Sequence, residues 1–590
     1  MPMAETTLQV EPETQAITAL WRKNVPLAIV IVTYLAVWTC TGAHFMADTN
    51  VYTQAILRYQ HGVRNENYHL TTSNPFWDFG HVLWRPIGWL CFTWTKPVTR
   101  FWAHQNQQAE VLFTLFGINF LASLACVILF FLLAKSMIAE RWSAVVATIG
   151  FFSADAFLNY AHSGNAYVPG LTCLVAGMYV SWSRERSDPG LWRSLAAAVL
   201  LGLAVLFWLP YVFVLPAVMF APLLFCGDDR KQVRSLLLTA LTCGILGLAV
   251  YTSAAVFAGV RNLADLHDWI SSSGHGHVQL RGLRAIAGLA FAVPRSFLYM
   301  DRDGMWLKRF LIHDPYAPVT ISTLLRLSLW KLALFYAAAL AVCLELLRWK
   351  RGQMLFALLA ATVVPVFVFA VFIFESGSIE RYLPLYPFIF LACGFVLARE
   401  KAGRSIRGLL VISLAAMAIV NLNAMRLAAV EGRRAEAVSR IADLVPVLSP
   451  NSLVLAVNEQ DSLAEFRQNF PLDPVNLSAR WRTYDVLEIN AERLATWRRD
   501  LAVRVLDTWS QGGTVWLPSR FLQTDPRPEW NWVEGDDKRI RWSDLPAFFS
   551  RFDVGPTVGG EDGFQPLQED QKDRDIFQSL IGPTFHSAVQ

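Results

Sequence analysis

Eleven apolar stretches run through the first 425 residues, and the basic residues that separate them fall in every second connection. Those connections hold Lys135 and Arg141, then Arg184, Arg186 and Arg193, then Arg230, Lys231 and Arg234, then Arg348, Lys350 and Arg351, then Arg399, Lys401, Arg404 and Arg407. A chain patterned in this way threads a bilayer repeatedly, and its Lys/Arg-rich loops stay in the cytoplasm. The alternate loops, with Asp48, His81, His162 and Glu380, then face outside. Arg22 and Lys23 keep the N-terminus cytoplasmic, and an odd number of spans exports the C-terminal region.

The spans are predicted near residues 24–43, 111–134, 143–160, 166–182, 194–209, 211–226, 235–258, 327–347, 353–373, 382–398 and 407–425. The stretch 194–226 is too long for one comfortable helix and contains Pro210 and Pro216, so a tight turn is placed at Trp208 to Tyr211. A single span there would invert the charge pattern downstream. The expected organisation is therefore a polytopic α-helical membrane protein with a soluble α/β domain at its C-terminus. A cytoplasmic tail covers residues 1–23, and a membrane domain 24–428 has outside loops at 44–110 and 259–326. An extracytoplasmic domain, 429–590, contains strand-like runs at Ser452 to Val457 and Thr514 to Pro518. From about residue 555, Gly, Asp, Gln and Pro predict a loosely ordered tail.

Composition excludes other classes. The chain is 54% hydrophobic and only 17% charged, and its net charge of +4 follows from the cytoplasmic loops, so nucleic acid is not an expected partner. The eight cysteines lie nearly all within apolar segments and none follows residue 393, which leaves the exported domain without disulfides. His267, His275 and His277 lie close in sequence, but they have no firm carboxylate partner and are flanked by glycine. That segment reads as a flexible substrate-covering loop, and no metal or other cofactor is expected.

Four places could carry chemistry. Asp48 directly follows the first span, where it can be the N-cap of a new helix, a general base at a lipid-bordered groove, or both. Asp78, His81 and Arg85 are spaced i, i+3 and i+7, so one helix would present all three on a face suited to phosphate, or Arg85 would only snorkel from an interfacial helix. Asp155, Asn159 and His162 share a helix face near the outer end of the third span, where an ionisable residue is expensive unless it has a role. Glu375, Glu380 and Arg381 sit in a short outside hairpin that runs into Tyr382, Pro384 and Pro387.

These features together resemble the GT-C superfamily of polyprenyl-phosphate-sugar-dependent integral membrane glycosyltransferases. The matching elements are Asp48 after the first span, the ADTNVY and GHVLWRP segments of a long first outside loop, HSGNAYVPG at 162–170 and ERYLPLYPF at 380–388. The resemblance implies a membrane enzyme that moves one sugar, with inversion, from a polyprenyl-phosphate donor to a lipid, glycan or protein acceptor on the extracytoplasmic face. Asp48 would be the base, Arg85 and Arg381 would hold the donor phosphate, and Asp78, His81, Asp155, His162, Glu380 and Tyr382 would line the site. No metal is implied, and a bacterial inner membrane is the expected location. Members that act on protein often carry a paired Asp-Glu after the first span, whereas Thr49 follows Asp48 here, so the acceptor stays open. The competing readings are a transporter or flippase and a polymerase of lipid-linked saccharides. Charges at the outer ends of spans, rather than at the midplane, disfavour transport.

Overall fold

The computed structural model describes residues 12–44, 46, 48–60, 76–102, 106–138, 140–182, 190–225, 229–272, 283–300, 320–325, 329–373, 377–456, 462–478, 481–485, 496–523, 543–559 and 563–581. Among them, six helices are long and apolar enough to cross a membrane: Gln107–Met137, Arg230–Ala258, Trp330–Leu347, Lys350–Phe372, Ile379–Ala398 and Arg404–Met425. A seventh candidate is broken. Arg141–Ser153 and Asp155–Ala161 meet at a bend of 65°, where the expected third span was straight. The backbone of Ala154 is extended at this break, and Asp155 opens a new short helix. Shorter apolar helices cover Asn24–Cys40, Leu191–Phe207 and Leu209–Phe225.

The chain reverses at Trp208, as the contacts of its flanks require. The Trp208 ring lies 4.7 Å from that of Tyr167, which begins the helix Tyr167–Trp182, while the indole of Trp182 at the other end donates to the Val218 carbonyl at 2.9 Å. Helix Leu191–Phe207 packs between Tyr167–Trp182 and Asp229–Ala258, and the helix Gln107–Met137 backs the same layer. Their shared core is dense in aromatic and branched side chains, among them Phe130, Phe151, Phe157, Tyr211 and Phe390. At the end of the bundle opposite Trp208, buried Glu345 pairs with Arg348 and Arg399 and ties two helices together.

Within residues 44–110 the structure has the helix Thr49–Gln60, a single 3₁₀ turn at Phe79–His81 and the helix Trp84–Trp102. The last buries Trp84, Arg85, Gly88 and Phe92 and exposes Leu90, Trp94, Val98 and Phe101, an arrangement suited to lying against lipid. Gly88 is required by close packing, because a Cβ there would stand 2.9 Å from both Ile56 and Leu115.

The C-terminal region is an α/β unit. Its strands are β1 (Leu453–Ala456), β2 (Arg482–Asp485), β3 (Val515–Pro518) and β4 (Phe564–Pro566), in the order β2-β1-β3-β4. β1 is parallel to both β2 and β3, and β4 is antiparallel to β3. Alternation along the strands fills two cores: Leu453, Leu455, Val515 and Leu517 face one, and Val454 and Trp516 face the other. The expected loose tail is corrected here, because residues 563–581 supply β4 and the helix Gln571–Ile581. Phe577 of that helix is buried, with its ring stacked on Phe552 at 4.3 Å.

Candidate active site

The turn after the broken helix builds the site. Its backbone and side chains clamp the segment that follows the first apolar helix: the Gly164 N–H donates to Thr49 Oγ1 at 3.0 Å, and Asn165 Nδ2 donates to the Met46 carbonyl at 3.1 Å. Trp84 donates to the Gly164 carbonyl from the opposite side at 3.0 Å. Gly164 leaves no room for a side chain, since a Cβ would come within 2.7 Å of Thr49 Cγ2. Asp48 is thereby fixed at the entry to helix Thr49–Gln60, and its carbonyl accepts the Tyr52 N–H at 2.9 Å.

Among the described residues, the hydrogen bonds of the Asp48 carboxylate go to side chains and not to the backbone of that helix. Its Oδ2 accepts hydrogen bonds from the hydroxyls of Tyr167 at 3.1 Å and Tyr52 at 3.3 Å. Both donors therefore address the same oxygen. Burial, reinforced by the Asp48 charge, raises the Tyr52 hydroxyl well above the ordinary phenol range, so it remains a donor.

Three tyrosines missed by the sequence reading join the separate candidates. The Tyr167 ring lies 4.8 Å from that of Tyr160, whose hydroxyl donates to Glu380 Oε2 at 2.8 Å. Arg381 follows, 3.8 Å from Glu380 and with its guanidinium 5.8 Å from the centre of the Trp208 ring. On the other flank, the Arg85 guanidinium stands 5.2 Å from the centre of the Tyr52 ring. Asp48, His81, Arg85, Glu380 and Arg381 thus share one aromatic-walled cluster.

The geometry modifies several expected roles. Asp78, His81 and Arg85 do not lie on one helix, because Asp78 is extended and accepts the Gly80 N–H as the cap of the 3₁₀ turn. Arg85 is fully buried behind Tyr52 and paired with Asp78 at 3.2 Å, so its charge is compensated within an ion pair. His81 places Nδ1 3.2 Å from the Phe207 carbonyl, and its ring packs 5.6 Å from Tyr52 and 5.7 Å from Tyr167. Burial lowers its pKa, with Asp78 and Asp48 opposing, so the neutral ring donates from Nδ1 to Phe207 and adds no charge for a phosphate.

His162 stacks on Trp38 at 5.1 Å, and its two nitrogens lie 2.9 Å from the Trp38 carbonyl and 2.8 Å from the Leu158 carbonyl. It fastens the turn to the first helix. Tyr382 points into the apolar bundle, its ring edge-on to Phe367 at 6.1 Å. Asp155 has Arg295 and Lys331 as its electrostatic neighbours and belongs to a different polar group from Asp48. Glu375, His275 and His277 lie outside the described residues.

Two consequences can be measured. Tyr167→Phe removes one of two hydrogen bonds to a carboxylate, an interaction of about 1.5–3 kcal/mol. It is expected to lower turnover about tenfold or more without loss of fold, and an unchanged rate would remove Tyr167 from the site. His44, just beyond the first apolar helix, is also pushed below its ordinary pKa by burial and then by Arg433 and Arg295. For a histidine whose folded pKa is depressed, the unfolded chain binds more protons between that value and about 6.5. The contribution to stability is complete above that window and lost as the pH falls through it. The melting temperature in detergent should therefore drop from pH 7 to pH 5, and drop less in His44→Gln. An equal drop would contradict the burial of His44.

Fold and cluster define a multi-pass helical membrane protein with an acid–tyrosine–arginine site at one end of its bundle and an appended α/β unit. Among solved structures, the chain is similar to ArnT from Cupriavidus metallidurans bound to undecaprenyl phosphate, at 12% identity and a TM-score of 0.48 over 95% of this chain and 99% of that one. It is similar to the apo form of the same protein at 10% identity and a TM-score of 0.48, over 96% of this chain and 100% of that one. It is also similar to the Archaeoglobus fulgidus oligosaccharyltransferase in complex with Zn and sulfate, at 12% identity and a TM-score of 0.47, over 92% of this chain and 73% of that one. No family model and no curated protein sequence matches the chain.

Proposed function

We propose that this chain is a GT-C-type glycosyltransferase that moves a sugar from a polyprenyl-phosphate donor to an acceptor on the extracytoplasmic face of a bacterial inner membrane. The observation that carries the reading is the Asp48 carboxylate, held through one oxygen by two buried tyrosine hydroxyls in the same cluster as Arg381. In the proposed step the acceptor hydroxyl gives its proton to Asp48 Oδ1 as its oxygen attacks the anomeric carbon. The bond from that carbon to the phosphate oxygen breaks on the opposite side, which inverts the centre, and polyprenyl phosphate leaves. Arg381 holds the departing phosphate. The step needs no metal.

The charge pattern of the loops supports a cytoplasmic N-terminus and an exported C-terminal unit. The test is transfer in membranes from radiolabelled polyprenyl-phosphate sugars. Label that reaches a new product in wild type and not in Asp48→Asn supports a transferase. Movement of intact labelled donor across the bilayer, with no new product, would replace this reading with a flippase.

A further inference from the structure

Trp208 stands between the two ends of the site, and its backbone is fixed from several sides. It is extended where helix Leu191–Phe207 stops, its N–H donates to the Ala204 carbonyl at 3.0 Å, and its carbonyl accepts the Tyr211 N–H at 3.1 Å. The two residues before it are gripped by the turn around His81. The Leu206 carbonyl accepts the Leu83 N–H at 3.1 Å, and the Phe207 carbonyl accepts from His81 Nδ1 at 3.2 Å. Trp208 itself is 1% exposed. Its ring lies 4.7 Å from that of Tyr167, a hydroxyl donor to Asp48, and 5.3 Å from that of Tyr211. Tyr211 secures Tyr167 in turn, donating to its carbonyl at 2.7 Å. The Arg381 guanidinium stands over the same indole, 5.8 Å from its centre.

One side chain thus touches both the tyrosine that holds the acid and the arginine assigned to the phosphate. Glu380, at 3.8 Å, attracts Arg381 from beyond hydrogen-bond distance, so that ion pair by itself does not set the direction of the guanidinium fork. An indole face can set it. Among side chains it attracts a cation within about 6 Å most strongly, and a planar guanidinium can stack on it. The attraction grows as water is excluded, and both groups here are largely enclosed. A fork ordered before the donor arrives spares the binding step that loss of freedom. We propose that Trp208 is a positioning residue whose indole, braced on Tyr167, holds the Arg381 guanidinium in place for the departing phosphate. This role rests on the transferase reading above, in which Asp48 and Arg381 act on opposite sides of the reacting carbon.

The experiment measures binding of radiolabelled undecaprenyl phosphate to the immobilised full chain in detergent, for wild type, Trp208→Phe and Trp208→Met. Phe and Met have similar volumes, so the packing lost is comparable, but only Phe offers an aromatic face to the guanidinium. Trp208→Met should weaken binding about tenfold, and Trp208→Phe no more than about threefold. A second measurement keeps the shape of the residue. Tryptophan carrying one, two or three ring fluorines, placed at position 208 alone by nonsense suppression, drains the face of the indole without changing its packing. Affinity should fall stepwise with each added fluorine. Equal affinities for the Phe and Met variants, or no response to fluorination, would overturn the role of Trp208 and leave the transferase reading standing. A wild-type chain that does not bind undecaprenyl phosphate would remove the donor reading itself, and the role of Trp208 with it.

Discussion

Asp48→Asn is expected to lower transfer by about 10²–10⁴-fold while donor binding stays near the wild-type value, the span typical of a general base. The amide keeps the size of the carboxylate, and its oxygen can still accept from Tyr52 and Tyr167, so the fold around the HSGNA turn should survive. It cannot take the acceptor's proton. The loss should therefore appear in turnover rather than in donor affinity. Asp48→Glu should recover part of the rate only if the longer side chain keeps one oxygen on the tyrosine pair. Equal melting temperatures for wild type and Asp48→Asn would show that the loss is chemical.

Arg381→Ala is expected to produce the complementary result. A guanidinium facing a phosphate makes charge-assisted hydrogen bonds, and loss of one such donor costs about 10²–10³-fold at a site where charge develops. Arg381 is largely enclosed between Glu380 and the Trp208 ring, so its head group is positioned before any donor arrives. Removal should weaken donor binding as well as turnover, since the phosphate is charged in the ground state too. Arg381→Lys should restore charge without the planar fork and recover only part of the loss. The measurement is a donor titration beside the transfer rate. Wild-type values for both in Arg381→Ala would place the phosphate elsewhere.

The charged members of the cluster were readable because charge at the end of an apolar segment is conspicuous. Asp48, Glu380 and Arg381 stand out for that reason. Tyr52, Tyr160 and Tyr167 were not read because a tyrosine near a span end looks like part of an aromatic belt. A signal was present: Tyr52 is one helical turn from Asp48, and Tyr160 and Tyr167 flank the HSGNA turn. The bend at Ala154 had no such signal. FFSADAFLNY contains neither Pro nor Gly, and Arg295 and Lys331, which act on Asp155 after the break, come from distant segments of the chain. The spacing of Asp78 and Arg85 correctly brought them together, yet the chain between them is a 3₁₀ turn rather than a helix, which makes the pair an ion bridge. Average composition misjudged residues 563–581, because a few anchors such as Phe564 and Phe577 suffice to dock a short strand and helix.

The most direct measurement is the release of polyprenyl phosphate from a radiolabelled polyprenyl-phosphate sugar by the purified full chain in proteoliposomes, with a membrane extract supplying acceptor. Wild type should release the lipid phosphate in step with appearance of labelled product, and Asp48→Asn should bind the donor but release almost none. Equal release by Asp48→Asn, or a wild-type chain that neither binds nor consumes any such donor, would contradict the account.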